Sequence, residues 1–275
     1  MDRLKGKVAI VTGAGKKEIV TSAGKKIYVD GTGYATSMLF AKEGAKVLLA
    51  DISPENANAT LAEIEAAGGE GAIFIGDLAT EKACAGMVEA AVEHFGKVNV
   101  LFNNVGLGGS GMVTQVDEEK WDRVMDLNLK SMIMACKHAI PRMAETGGGS
   151  IINVSSIDAL RAGSSRNVPY AAAKGGMISA TKVMAVHHGR DNVRVNCIAP
   201  GHLYASFPAP YLSEAERERR RRIGPLGTEG TAWDVAWATV FLASDESKWI
   251  SGVIIPIDAG LLAATPLAVV HQLDE

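Results

Sequence analysis

The chain has 275 residues, 47% of them hydrophobic, which is enough to bury one sizeable core. With a formal net charge of −3, nothing suggests a polyanion as the main partner, so no nucleic acid is expected. Cys84, Cys136 and Cys197 lie far apart with no CxxC pair, which argues against a disulfide framework or a structural zinc site and leaves three small buried hydrophobes.

In chain order, the start "MDRLKGKVAIVTG" lacks a charged-then-apolar signal segment. No apolar run approaches the roughly 18 residues that span a bilayer, so the expected setting is cytoplasmic, with no membrane partner. Short runs rich in Val and Ile predict strands at 7–12, 45–51, 71–77, 98–104, 150–156, 193–200 and 252–258. They are apolar throughout rather than alternating, as suits a sheet covered on both faces. Helical spacing fills the gaps, as in 53–69 with Ser53 as N-cap and 80–96 opening at Thr80 and stopping at Gly96. The alternation predicts one α/β domain over 1–275, a doubly wound parallel sheet of about seven strands with helices on both faces. A βα barrel shares the alternation but usually wants eight units, and the glycine loop after the first strand favours the open sheet. Two segments fall outside the pattern, 16–30 and about 202–230. The run "ERERRRR" at 216–222 reads as a solvated helical face beside acidic neighbours, and the tail after Gly260 is apolar enough to pack on something.

Gly13 and Gly15 follow the first strand, and Gly31, Thr32 and Gly33 open the next helical stretch. Glycines there let the backbone approach a pyrophosphate, and a helix start offers free N–H groups and the positive end of its dipole. Asp51, with Ile52 beside it, ends the second strand, where a carboxylate accepts from both ribose hydroxyls of an adenosine and repels a 2′-phosphate. Tyr170 and Lys174, in "YAAAK", share one helix face. A tyrosine of ordinary pKa is a poor base, but a nearby ammonium and an oxidised nicotinamide both stabilise its phenolate. No HExxH or Cys/His cluster accompanies His187 and His188, so no metal site is expected. His202 lies in the expected substrate loop.

Together with "DL" at 77–78, "NNVG" at 103–106, Asn128 in "LNLKS", "NVSS" and "APG" at 199–201, these motifs occur in the order of the short-chain dehydrogenase/reductases, which the chain resembles from Lys7 to Gly260. The resemblance implies a single-domain Rossmann fold of about seven parallel strands, assembled as homodimers or homotetramers. It implies Tyr170 as acid or base, Lys174 lowering its pKa and binding the nicotinamide ribose, Ser156 holding the substrate oxygen, and Asn128 holding a relay water. It also implies Asp77 and Leu78 at the adenine, Asn104 and Gly106 along the nucleotide, and the stretch Pro200, Gly201 and Leu203 at the nicotinamide amide. The implied activity is hydride transfer between NAD(H) and a secondary alcohol or ketone.

The chain departs from the family pattern in four places. Residues 16–30 interrupt the glycine loop, and "NNVG" replaces the commoner NNAG. Ser156 precedes Tyr170 by one position more than usual, which leaves Ser155 as a substitute. Ala205, followed by Ser206, stands where a Thr often holds the cofactor. The insert is expected to be a hairpin, with Ile19 and Thr21 on one arm, Ile27 and Val29 on the other and Gly24 in the turn, projecting from the cofactor edge. Its Lys16, Lys17, Lys25 and Lys26 leave an NADP-dependent carbonyl reductase as one alternative, and a non-catalytic nucleotide-sensing protein is another. The substrate pocket is expected from residues after Ser156, from 106–111, and from His202, Leu203, Tyr204 and Phe207, an apolar lining suited to a small cyclic or hydrophobic alcohol rather than a polyanion.

Overall fold

A computed structural model describes residues 2–21, 24–109, 111–163 and 166–274, the last four by backbone alone. The chain runs from β1 (Val8–Thr12) through a small pair, β2 (Glu18–Val20) and β3 (Lys26–Tyr28), into α1 (Thr32–Lys42). Then come β4 (Lys46–Asp51), α2 (Pro54–Ala66), β5 (Glu70–Ile75), α3 (Glu81–Phe95) and β6 (Val100–Asn103). α4 (Glu118–Met125) continues through a π-turn (Asp126–Lys130) into α5 (Ser131–Glu145), followed by β7 (Gly149–Val154), α6 (Val168–His187) and β8 (Val193–Pro200). The last part holds β9 (Leu203–Tyr204), α7 (Glu214–Ile223), β10 (Gly230–Thr231), α8 (Ala232–Ala243), β11 (Ile254–Ile257) and α9 (Pro266–Asp274), which packs on α7.

Seven strands form one parallel sheet in the order β11-β8-β7-β6-β1-β4-β5. The continuous apolar runs have their reason in the pleat, which sends successive side chains to opposite faces. Ala9 and Val11 of β1 join a core with Leu39, Phe40, Val235 and Val240 of α1 and α8. Ile10 points the other way, among Met87, Val88, Cys136 and Met177 of α3, α5 and α6. Each fully buried Leu or Ile in such a strand contributes about 1.5–3 kcal/mol. The predicted caps are present: Ser53 Oγ accepts from Asn56 N, Thr80 Oγ1 accepts from Ala83 N, and Gly96 is left-handed at φ 81°. All three cysteines are buried.

The order reverses at β1, whose neighbours β4 and β6 are reached by connections running to opposite sides. Ligands of such sheets sit outside the strand ends at that point, and both glycine pairs and Asn104 converge there.

The insert is a hairpin with Ile19 opposite Ile27, as predicted, and Gly24 at φ 75° donates its N–H to Thr21 O at 2.8 Å. Ser22 and Ala23 of its turn lie outside the described residues. The expected projection needs correction, because the hairpin lies down on the molecule. Ile19 is 4% exposed, and β2 packs against the turn Ala209–Tyr211. At its base Lys16 N donates to Thr60 Oγ1 at 2.9 Å, while Asp30 accepts from Trp233 Nε1 at 2.9 Å and from Ser206 N at 3.2 Å. One buried isoleucine and the ties at Asp30 therefore fasten it to the segment after β8.

Replacing residues 16–30 by a single serine is expected to leave the sheet intact, with about 2–4 kcal/mol less stability in urea from the lost burial of Ile19 and its ties. Loop closure itself changes little, since its cost grows slowly with length. Loss of the cooperative transition would show that the insert belongs to the core.

Candidate active site

The loop interrupted in sequence is closed in space. A Cβ on Gly33 would lie 2.0 Å from Gly13 O, so the first turn of α1 rests directly on the end of β1. Thr32 Oγ1 donates to Asn104 Oδ1 at 2.5 Å, and Asn104 Nδ2 returns to Thr12 O at 3.0 Å, tying β1, α1 and β6 together. α1 begins at Gly31 with no side-chain cap and no acidic residue in its first turn, so its free N–H groups face a cavity of about 430 Å³. That is the condition a pyrophosphate needs.

At the adenosine end, Asp51 and Ile52 line the cavity. Asp51 Oδ2 accepts from Gly15 N at 2.8 Å and Oδ1 from Ser53 N at 3.0 Å, which fixes the carboxylate in place. A Cβ on Gly15 would lie 2.8 Å from Asp51 Oδ2, so only glycine admits this contact. Of the insert lysines, Lys16 pairs with Glu63 and Lys26 with Glu18, while Lys17 lines the cavity. Asp77 and Leu78 are not in the cavity wall. The Asp77 carboxylate accepts from Ala79 N at 3.1 Å and pairs with Arg123, and both interactions hold its pKa below the usual value. Leu78 is buried among the α3 and α5 side chains.

At the other end, α6 carries Tyr170 and Lys174 one turn apart, and both line the cavity with Ser155 and Ser156. The two serines directly follow β7, and their hydroxyls face different ways. Ser155 Oγ donates to Lys174 O at 2.8 Å, whereas Ser156 Oγ accepts from Asp158 N at 3.1 Å and lies close enough to Tyr170 to hold its pKa down. Lys174 Nζ donates to Val154 O at 2.7 Å and lies 5.6 Å from the Tyr170 ring centre. Burial lowers the Lys174 pKa to about 8 and pushes Tyr170 up to about 12, with Ser156 opposing the rise. A bound cation would shift the balance toward phenolate.

Asn128 is wholly buried in the π-turn. Its Nδ2 donates to Val124 O at 2.9 Å, taking the acceptor that an α-helix gives to the backbone four residues on, and to Leu107 O at 2.9 Å. This competition widens the helix. A Cβ on Gly106 would lie 2.9 Å from Asn128 Oδ1 and 3.5 Å from Lys174 Nζ, which places the three side by side.

Pro200, Gly201 and Leu203 line the cavity, with Leu203 N donating to Gly201 O at 2.9 Å. Phe207 stacks on Tyr170, ring centres 6.3 Å apart and planes 20° apart. Tyr204 is instead covered by Arg217, whose guanidinium lies 3.5 Å from its ring centre. Ser110 of the 106–111 segment lies outside the described residues.

The substrate wall is more polar than expected: Asp158, Asn167, His202 and Arg220 all reach it. Sequence reading passed over Asp158, Asn167 and Arg220. Arg220 was absorbed into the solvated basic run, although its spacing of three from Ile223 marks the inner face of α7. Among the described residues, no group of three or more His, Cys, Asp or Glu could hold a metal ion, and no helix is long and apolar enough to cross a membrane.

The glycine cradle, the uncapped helix start and the fixed carboxylate fit a dinucleotide. Comparisons agree in kind. A family model described as enoyl-(acyl carrier protein) reductase matches residues 28–262. A 3-oxoacyl-[acyl-carrier-protein] reductase of Thermotoga maritima is 35% identical, over 94% of this chain and 99% of its own. A 2,5-dichloro-2,5-cyclohexadiene-1,4-diol dehydrogenase of Sphingobium indicum is 34% identical, over 94% and 97%. A crystal structure from Burkholderia xenovorans, described as a short-chain dehydrogenase/reductase, superposes with a TM-score of 0.88 at 35% identity, covering 96% of this chain and all of that one.

Proposed function

The chain belongs to the short-chain dehydrogenase/reductase family of oxidoreductases, and from that premise we propose that it transfers hydride between NAD(H) and a secondary alcohol or ketone, with Tyr170 as acid or base. One observation carries the reading: Ser156, Tyr170 and Lys174 line the same cavity as the uncapped start of α1 and the Asp51 carboxylate. The nicotinamide, when bound, accepts or supplies the hydride. Everything else falls to the chain.

Ser156 Oγ holds the substrate oxygen where charge develops. Tyr170 Oη takes the hydroxyl proton as an alcohol is oxidised, or returns it to a ketone. Lys174 keeps the phenolate accessible by its charge and also binds the nicotinamide ribose. Asn128 holds the relay water; its side-chain amide is engaged with Val124 O and Leu107, which turns the task to its main-chain carbonyl. Gly13, Gly15, Gly31, Thr32 and Gly33 seat the pyrophosphate. Asn104 and Gly106 flank it, and Pro200, Gly201 and Leu203 hold the amide end. Asp77 and Leu78 remain in the proposal only as outer neighbours of the adenine. The names of the two relatives, a ketone reductase and a diol dehydrogenase, support this substrate class. A homodimer or homotetramer in the cytoplasm is the setting proposed with it.

The test is reduction of NAD⁺ by a panel of secondary alcohols, and of ketones by NADH, followed by nicotinamide absorbance. Tight NAD⁺ binding with no turnover of any member would favour the sensor. Asp51 is expected to favour NAD over NADP, so Asp51→Ser should narrow the ratio of the two kcat/KM values more than tenfold, about 1.4 kcal/mol. A second reading, NADP dependence, draws on Lys17 at the cavity wall. A wild type that already prefers NADP would mean that Lys17 outweighs Asp51.

A further inference from the structure

The substrate end of the cavity holds a charge that hydride transfer does not use. On α7, Arg217, Arg219 and Arg221 each hold a glutamate within 3.2 Å. Arg220 turns inward and lines the cavity. Its side chain is 23% exposed, and its Nε comes no nearer than 3.7 Å to Glu216, whose other oxygen already accepts from Arg219. Among the described residues, no acceptor lies within hydrogen-bonding distance of its planar fork of N–H donors.

Its position along the cavity follows from its neighbours. Asp158 donates its N–H to Ser156 Oγ at 3.1 Å and lies within electrostatic reach of both Arg220 and His202. Arg220 therefore stands on the Ser156 side, away from the start of α1. Two further polar atoms in this wall, His202 Nδ1 and Asn167 Oδ1, are buried with no hydrogen-bond partner. The opposing charges around His202 are Asp158, Glu216 and Asp258; Asp158 forms no ion pair with Arg220, and burial raises its pKa. A partly buried guanidinium held only by the long 3.7 Å pair to Glu216 has unfilled N–H donors, and a carboxylate fills them with two parallel N–H···O bonds.

We infer that the substrate is a hydroxy or keto monocarboxylic acid whose carboxylate docks on Arg220, flanked by His202. This rests on the hydride-transfer reading above and narrows its secondary alcohol to an anionic one. The remainder of the substrate still meets Phe207 and the apolar wall.

The test pairs short α- and β-hydroxy acids with their methyl esters as substrates, and butyrate with butyramide as calorimetric probes of the NAD-loaded protein. An acid is expected to exceed its ester in kcat/KM by about tenfold or more. Arg220→Met should cut that value about a hundredfold and abolish butyrate binding, leaving the ester unchanged, and Arg220→Lys should restore part of it. Equal turnover of acid and ester, or an equal loss for both in Arg220→Met, would overturn the inference and leave hydride transfer standing. No turnover of any secondary alcohol, charged or neutral, together with equal binding of butyrate and butyramide would overturn both.

Discussion

Tyr170→Phe is expected to lower kcat about a thousandfold or more, roughly 4 kcal/mol of barrier, while the variant folds and binds NAD close to normally. The substitution removes one oxygen and little else. The ring keeps its place against Phe207 and above Lys174. In the free protein burial pushes the phenol up to about 12, which makes it a poor base near neutrality, and lowers the ammonium to about 8. Burial is the largest cause of both shifts, and a positive charge entering beside them moves the balance toward the phenolate. Steady-state kinetics with NAD titration separates the outcomes. Near-wild-type kcat would remove Tyr170 from the chemistry; a parallel loss of NAD affinity would recast it as a binding residue.

Local rules made much of this site legible. The i, i+4 spacing of Tyr170 and Lys174 put them on one face before any fold was known, and the apolar runs located the strands because each is buried on both faces. Other features depend on contacts between distant segments. Ser155 and Ser156 were equivalent as letters; the hydroxyl of one bonds the backbone of α6 and that of the other lies close to Tyr170. The capture of Asp51 by the N–H of Gly15 joins residues on two different strands' ends. Arg220 was hidden by composition, since a run of arginines reads as solvated until α7 is docked. The hairpin followed from its alternation and its Gly24 turn, but nothing local said that Ile19 would be buried against the turn Ala209–Tyr211.

Gly33→Ala is expected to cost about 3 kcal/mol of stability and to weaken NAD binding about a hundredfold. The new Cβ would lie 2.0 Å from Gly13 O, 2.8 Å from Gly13 C and 2.9 Å from Asn104 Nδ2. Two of these three atoms are backbone of Gly13, directly after β1, so no side-chain rotation relieves the contact. α1 must lift off β1, and that moves its free N–H groups away from the pyrophosphate and strains the Thr32–Asn104 bond. The same geometry settles whether the two glycine pairs form one loop. If they were unrelated, Gly33 would be an ordinary first-turn residue and alanine would stabilise the helix by about 1 kcal/mol. That gain is the behaviour expected of Gly175→Ala, whose added Cβ meets nothing within 4 Å in mid-helix, and it serves as the control. Urea denaturation and NAD titration of both variants decide the matter: a Gly33→Ala protein as stable and as tightly binding as the control would break the link between the two halves, whereas loss in Gly33→Ala alone ties the cofactor seat to the contact of Gly33 with Gly13.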